Sequence, residues 1–319
     1  MKLSARSVRR PPARSAALVL AAGLLVTPAL AACGGSSPKS SSSGSASSSS
    51  ASSGVTVTGA FGQKPTLTVP GGAAPTKLTS DVLSQGNGPA VASGQTIVVN
   101  YLGQTWEPKD GKPNIFDNSF DRKQPASFPI GKGQVIPGWD KTLVGKKTGS
   151  RVLLTVPPAE GYGNDSSSAL SKNTLLFVVD VLGSYDTGAT ASGNPAEALP
   201  AGFPAVTSQS GKAPAVTSVK GVTPGKDAKS ALLLKGSGAA IDENKLLALN
   251  LLQVDAKTGK TVRSTFGKEG PQLVSAKDVL SVVPTLKGAK VGSRAVVISP
   301  APAKGQQAIV VVLDVLGEY

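Results

Sequence analysis

The sequence predicts an α+β protein built from two domains of one fold, each an antiparallel sheet wrapped on one short helix. Three observations lead there. The chain has 319 residues, enough for about two domains. Motifs recur in the same order in its two halves. Each half consists of short apolar, β-branched runs separated by Gly, Pro, Asn and Asp turns, with little helical periodicity.

The N-terminus comes first. Residues 1–14 are cationic, residues 16–26 are apolar but short for a membrane span, and Leu30-Ala31-Ala32-Cys33 follows at once. This pattern reads as a secretory leader over 1–32. Cys33, the only cysteine, stands where a bacterial lipobox carries its lipidated residue, which implies cleavage before Cys33 and a diacylglycerol anchor on its sulfur. Residues 33–54 are nearly all Ser, Gly and Ala and read as a flexible tether. Folded sequence is expected over 55–185 and 205–319, with a Gly-, Ala- and Pro-containing linker at 186–204.

The repeats define the halves. Leu83-Ser84-Gln85-Gly86-Asn87-Gly88 leads into Thr96-Ile97-Val98-Val99-Asn100-Tyr101, and Leu233-Leu234-Lys235-Gly236-Ser237-Gly238 leads into Leu246-Leu247-Ala248-Leu249-Asn250-Leu251. The spacing from Gly86 to Asn100 equals that from Gly236 to Asn250. Gly149-Ser150-Arg151 matches Gly292-Ser293-Arg294, and Val181-Leu182-Gly183-Ser184-Tyr185 matches Val315-Leu316-Gly317-Glu318-Tyr319. Helices are expected around 139–144 and over 275–280, the second with a loose capping box at Ser275-Ala276-Lys277-Asp278.

Composition narrows the chemistry. With no histidine and one cysteine, Ser-His-Asp and Cys-His triads, His-based metal sites and intramolecular disulfides are excluded. The formal charge of +14 is inflated by the leader. The remaining lysines are scattered and not interleaved with aromatics, so the expectation is a basic surface facing anionic envelope material, not nucleic acid. Aromatics are only 4% of the chain, yet Phe128, Trp139, Tyr162 and Phe177 fall within one fifty-residue stretch, three of them beside Gly or Pro turns. Such residues can be ordinary core or can wall a concave apolar site.

Five separated segments carry a family resemblance: Val98-Val99-Asn100-Tyr101, Phe116-Asp117-Asn118-Ser119, the run from Phe128-Pro129-Ile130-Gly131 to Ile136-Pro137-Gly138-Trp139, Gly161-Tyr162-Gly163 and Leu175-Leu176-Phe177. In order and spacing they resemble the FKBP-type peptidyl-prolyl isomerases, over about residues 83–185. The resemblance implies two FKBP-like domains, each a strongly bent antiparallel sheet around a short helix with the pocket between them. It implies Trp139 as the pocket floor and Tyr101, Phe116 and Phe177 as walls. Val135 and Ile136 would meet the substrate backbone, Tyr162 would donate to a substrate carbonyl, and Asp117 would polarise the rim. No cofactor or metal is implied. The implied partners are proline-containing segments of exported proteins and the membrane through lipid on Cys33, with macrolides as candidate ligands of the same pocket. Two departures stand out. Ala126 replaces an aromatic, and the loop Asn164-Asp165-Ser166-Ser167-Ser168-Ala169-Leu170-Ser171-Lys172 is short and polar, with Ala169 or Leu170 left to cover the pocket.

In the second half the repeat places Leu251 at Tyr101, Val282 at Trp139, Val311 at Phe177 and Arg263 near Asp117. Ser299-Pro300-Ala301-Pro302-Ala303-Lys304-Gly305 replaces the Tyr162 loop. The framework is kept and the aromatic lining is lost, so no isomerase activity is expected there. The expected whole is a lipid-anchored isomerase on the outer face of a bacterial cell membrane, the alternative a non-catalytic peptide-binding chaperone. A solute-binding lipoprotein would need alternating βα units, which the sequence lacks.

Overall fold

The computed structural model describes residues 48–301 and 306–319. The expected leader, Cys33 and most of the expected tether lie outside the described residues, as does part of the loop expected to replace that of Tyr162. In the first half the strands are β1 (Ser48–Ser50), β2 (Thr56–Thr58), β3 (Thr66–Thr68), β4 (Thr79–Ser84), β5 (Thr96–Thr105), β6 (Ile115–Asn118) and β7 (Ala126–Pro129). After β7 come α1 (Pro137–Leu143), β8 (Arg151–Val156) and β9 (Leu175–Tyr185). The main sheet has the order β4-β8-β9-β5-β6, with β7 pairing the other half of β5, and all its pairs are antiparallel.

The second half repeats this plan. It contains β10 (Asn194–Pro195), β11 (Ala205–Thr207), β12 (Ala215–Ser218), β13 (Lys229–Lys235), β14 (Leu246–Asp255), β15 (Thr261–Ser264), β16 (Gln272–Ser275), α2 (Ala276–Val282), β17 (Arg294–Ser299) and β18 (Ile309–Glu318). Its sheet order is β10-β13-β17-β18-β14-β15, with β16 on β14. The register repeats as well: Tyr101 faces Val179 and Leu251 faces Leu313, and both central pairs shift register at the same place, after Val98 and after Ala248. The expected α+β architecture is the one observed.

The repeated motifs have a shared cause. A side chain at Gly86 would strike the Thr148 carbonyl at 2.2 Å, and one at Gly236 the Val291 carbonyl at 2.3 Å. The close approach lets the Ser150 hydroxyl accept from Gly86 N at 2.8 Å and the Ser293 hydroxyl from Gly236 N at 2.9 Å.

Strands β8 and β17 are buried along their whole length, although an antiparallel sheet packed on one face should alternate. The reason is a second apolar layer. On the concave face Val152, Leu154 and Val156 join Leu143 and Trp139 of α1. On the convex face Leu153, Leu176 and Val178 pack under Val55, Val57, Leu67 and Trp106, so residues 51–75 cover the back of the sheet. The second sheet is covered likewise by Phe203, Val206, Val216 and Val219. A buried ion pair pins each cover. Arg151 donates to Asp180 at 2.6 and 2.7 Å and to the carbonyls of Gly59 and Gln63 at 2.5 and 2.6 Å, while Gly62 N donates to Asp180 at 2.7 Å. Arg294 and Asp314 repeat this with Lys212 O and Ala191 N, each at 2.7 Å.

Three expectations need correction. The tether does not reach residue 54, because Ser48, Ser49 and Ser50 pair with Thr58, Val57 and Thr56. Backbone hydrogen bonds supply this order where the small side chains could not. The segment 186–204 is not a free linker: β10 pairs with Lys235 and Leu234, and Ala191 is buried and bonded to Asp314. Its small residues suit close packing as well as they suit flexibility. Finally, Val282 does not stand in for Trp139. α2 starts directly after β16, without the seven-residue loop that precedes α1, so Ala276, Val279, Leu280 and Val283 are the buried residues and Val282 is half-buried.

Candidate functional site

The concave face of the first sheet gathers six of the chain's thirteen aromatics. Trp139 sits in the first turn of α1, where Gly138 lets the helix approach β8; a side chain there would lie 2.7 Å from Val156 Cγ1. The indole meets the Tyr101, Phe128 and Phe177 rings edge to face, at centroid distances of 5.6, 5.1 and 5.4 Å. Phe116 closes on Phe177 at 5.6 Å, and Tyr101 on Phe128 at 5.8 Å. Such pairs contribute about 0.5–1.5 kcal/mol each beyond area burial. The Phe116–Phe177 contact depends on Gly103, because a side chain there would lie 2.7 Å from Phe116 and 2.9 Å from Phe177. The Trp139 Nε1–H is buried without a hydrogen-bond partner.

The rim is polar. The Tyr101 hydroxyl donates to one Asp117 oxygen, and Arg122 donates to the other. Arg122 also donates to the Tyr101 hydroxyl at 3.1 Å and lies 5.7 Å from its ring centroid. Burial, followed by the hydrogen bond to Asp117, pushes the Tyr101 phenol up to about 12. The strand edge carrying these groups is fixed by Ser119, whose hydroxyl accepts from Tyr101 N at 2.9 Å and donates to Asn100 at 3.0 Å.

Val135 and Ile136 lie in the loop between β7 and α1 and pack against the aromatic cluster. Gly131 and Gly133 turn this loop with φ of 76° and 66°, the left-handed region that favours glycine. Their N–H groups both donate to Asp140, each at 2.7 Å. Asp140 thereby ties the loop to the helix that carries Trp139. On the opposite side, Tyr162 and Leu170 pack on the cluster, so the polar loop covers the pocket through Leu170. Lys141 of α1 bonds Glu160 at 2.8 Å, just before that loop. Tyr101, Trp139 and Phe177 are only 6%, 4% and 4% exposed and form the inner part of the site, while Phe116, Phe128 and Tyr162 are half-buried around them.

All eight candidate residues, Tyr101, Phe116, Asp117, Val135, Ile136, Trp139, Tyr162 and Phe177, thus converge on one face. Ala126, noted as a departure in the sequence, is half-buried against the same cluster and makes a small wall beside the rings. Roles for Arg122, Gly103 and Asp140 emerge only from the structure. The Gly131-Lys132-Gly133 spacing was the one available signal for Asp140. Arg122 stands in the charged run Asp121-Arg122-Lys123, which carries no sign of a partner at Asp117.

In the second sheet Leu251 and Val311 occupy the register positions of Tyr101 and Phe177. Arg263 pairs with Gln253 as Asp117 pairs with Gly103, and it bonds Glu269 at 2.5 Å. Thr265 repeats Ser119, accepting from Leu251 N at 2.9 Å and donating to Asn250 at 2.7 Å. The scaffold of the site persists there without its rings.

The model of the FKBP-type peptidyl-prolyl cis-trans isomerase family matches residues 88–182. A Streptomyces anulatus protein described as FK506-binding protein is 35% identical over 123 residues, 38% of this chain and 96% of the relative. A Corynebacterium glutamicum protein described as a probable FK506-binding protein is 35% identical over 121 residues, 38% of this chain and 98% of the relative. The FK506-binding protein of Neisseria meningitidis serogroup B is 38% identical over 111 residues, 34% of this chain and 97% of the relative. Residues 88–182, which the family model matches, hold every ring of the site. By this likeness and the aromatic site on the first sheet, the chain belongs to the FKBP-type peptidyl-prolyl cis-trans isomerases.

Proposed function

We propose that the first domain catalyses rotation about X-Pro bonds in exported proteins, and that lipid on Cys33 holds it at the outer face of the cell membrane. The observation that carries the reading is the edge-to-face ring cluster around Trp139 with the Tyr101–Asp117–Arg122 rim, present in one repeat, whereas the other has Leu251, Val311 and Arg263 at the places of Tyr101, Phe177 and Asp117. A planar X-Pro amide resists twisting by roughly 18–20 kcal/mol, because rotation removes its resonance. A water-poor pocket disfavours the charge-separated planar form and suits the twisted one, whose carbonyl behaves more like a ketone.

On this reading Trp139 floors the prolyl ring, with Tyr101, Phe116, Phe128 and Phe177 around it. Backbone groups at Val135 and Ile136 meet the peptide, and Tyr162 donates to a substrate carbonyl. Asp117, held by Tyr101 and Arg122, sets a fixed negative charge at the rim, where preorganised dipoles act without reorganising. No nucleophile or proton transfer is required. Macrolides of the kind named for the relatives would compete for the same rings.

A protease-coupled proline-peptide assay on the full chain tests the reading. The expected result is catalysis above the uncatalysed rate, lost in Asp117→Val combined with Tyr162→Phe. A rate equal to the uncatalysed one, or unchanged in the double variant, overturns it. The alternative, a peptide-holding chaperone without catalysis, draws on the small wall at Ala126. Suppression of client aggregation that survives the double variant would favour it.

A further inference from the structure

The two sheets meet through the ends of their last strands. Tyr185 and Tyr319 occupy equivalent positions, and their hydroxyls lie 2.5 Å apart, with ring centroids at 6.5 Å and planes at 78°. Each ring also reaches over the other domain's glycine. A Cβ at Gly183 would lie 1.9 Å from the Tyr319 hydroxyl, and one at Gly317 would lie 1.8 Å from the Tyr185 hydroxyl. Gly183 and Gly317 hold the same place in their sheets, opposite Val98 and Ala248, beside the same register shift. The contact is therefore reciprocal: position i of one domain touches position j of the other, and j touches i. That is the signature of an isologous, self-complementary interface.

Further contacts surround the clasp. Gly267 N donates to Thr187 O at 3.0 Å, a Cβ at Gly270 would lie 2.8 Å from Thr96 Oγ1, and β16 packs against β7. The loop carrying Gly267 and Gly270 follows β15, as the rim loop with Arg122 follows β6. In the second domain that loop serves the contact between domains. The segment joining the sheets belongs to the same assembly, since Asn250 donates to Thr187 O and Ala189 O at 3.3 and 2.8 Å.

We infer that the face around Gly183, Tyr185 and Thr96 is a docking surface for an FKBP-like domain, and that the second domain is its built-in partner, locking both into one cooperative body. The second domain has lost its rings but kept Gly317 and Tyr319, so what it retains is the docking face and not the site. It leans on β7, the strand that presents Phe128 to the pocket. The inference stands whether or not the pocket isomerises peptides.

Calorimetry of the full chain tests it. The expected result is a single endotherm whose van't Hoff and calorimetric enthalpies agree. In Tyr319→Ala the endotherm splits into two, as the domains melt independently. Gly183→Ala attacks the same contact from the other domain, at a backbone angle alanine accepts, and splits it too. Two resolved endotherms in the unaltered chain, or a single endotherm retained in both variants, overturns the inference.

Discussion

Asp140 is the residue whose replacement most directly asks whether the β7–α1 loop must be held for catalysis. Its two oxygens accept from Gly131 N and Gly133 N at 2.7 Å each. Asp140→Ala removes both acceptors and leaves Gly131 and Gly133 free to sample the wide range open to glycine. A hydrogen bond to a charged group contributes roughly 1.5–3 kcal/mol when buried. Both contacts here are solvent-exposed, so a joint loss of about 1–2 kcal/mol is the appropriate scale. If Val135 and Ile136 must be held for the twisted amide, that loss appears in kcat/KM, where about 1.4 kcal/mol is tenfold. The expected fall in the proline-peptide assay is therefore on the order of tenfold. The melting temperature should drop by roughly 2–4 °C per kcal/mol lost. Asp140→Asn keeps one acceptor oxygen and should lose about half as much in each measurement. A variant with lowered melting temperature but kcat/KM within about twofold of the unaltered chain would show the loop to be structural only, and the roles given to Val135 and Ile136 would fall.

Three further outcomes follow from the same structure. Tyr101, raised to about 12 by burial and its bond to Asp117, ionises less readily folded than unfolded, where a tyrosine titrates near pH 10. Its contribution is full below about pH 10 and is lost between there and about pH 12, so thermal melts should be level at neutral pH and fall in alkali. Tyr101→Phe should flatten part of that fall, while Tyr185 and Tyr319, also raised by burial, supply the rest; an unchanged profile would count against the Tyr101–Asp117 contact. Arg151→Met leaves Asp180 buried without its partner and should cost about 3–5 kcal/mol in urea unfolding. Protease cleavage should then rise near residues 59–63; a loss below about 1 kcal/mol would mean the cover is held by apolar contacts alone. Cys33→Ser should move the protein from the membrane to the soluble fraction of its host cell, and retention at the membrane would refute the lipid anchor.

Much of the fold was legible because duplication made the sequence compare with itself. Gly86 and Gly236, Ser150 and Ser293, and Tyr185 and Tyr319 mark two equivalent sheets in the sequence itself. The aromatic site was legible for a related reason, since Tyr101 and Phe177 stand where the other repeat has Leu251 and Val311. What escaped the sequence were pairings between distant segments. Arg122 is five residues from Asp117, but its hold on Tyr101 exists only after β6 folds onto β5. Asp140 is a helix surface residue until Gly131 and Gly133 turn their amides toward it.

Composition also misled where backbone bonds decided the outcome. Residues 48–50 and 194–195 are Ser, Asn and Pro, poor material for a core, yet both segments pair with strand edges. The sequence by itself determined the periodicities, the glycine turns and the chemistry that lack of histidine rules out, because these depend on residue type and local spacing. Only the tertiary structure decided that both faces of each sheet are covered, that Arg151 and Arg294 pin those covers, and that the two domains clasp through reciprocal tyrosines. Those features rest on buried polar groups finding partners far along the chain, and no local pattern encodes which partner they find.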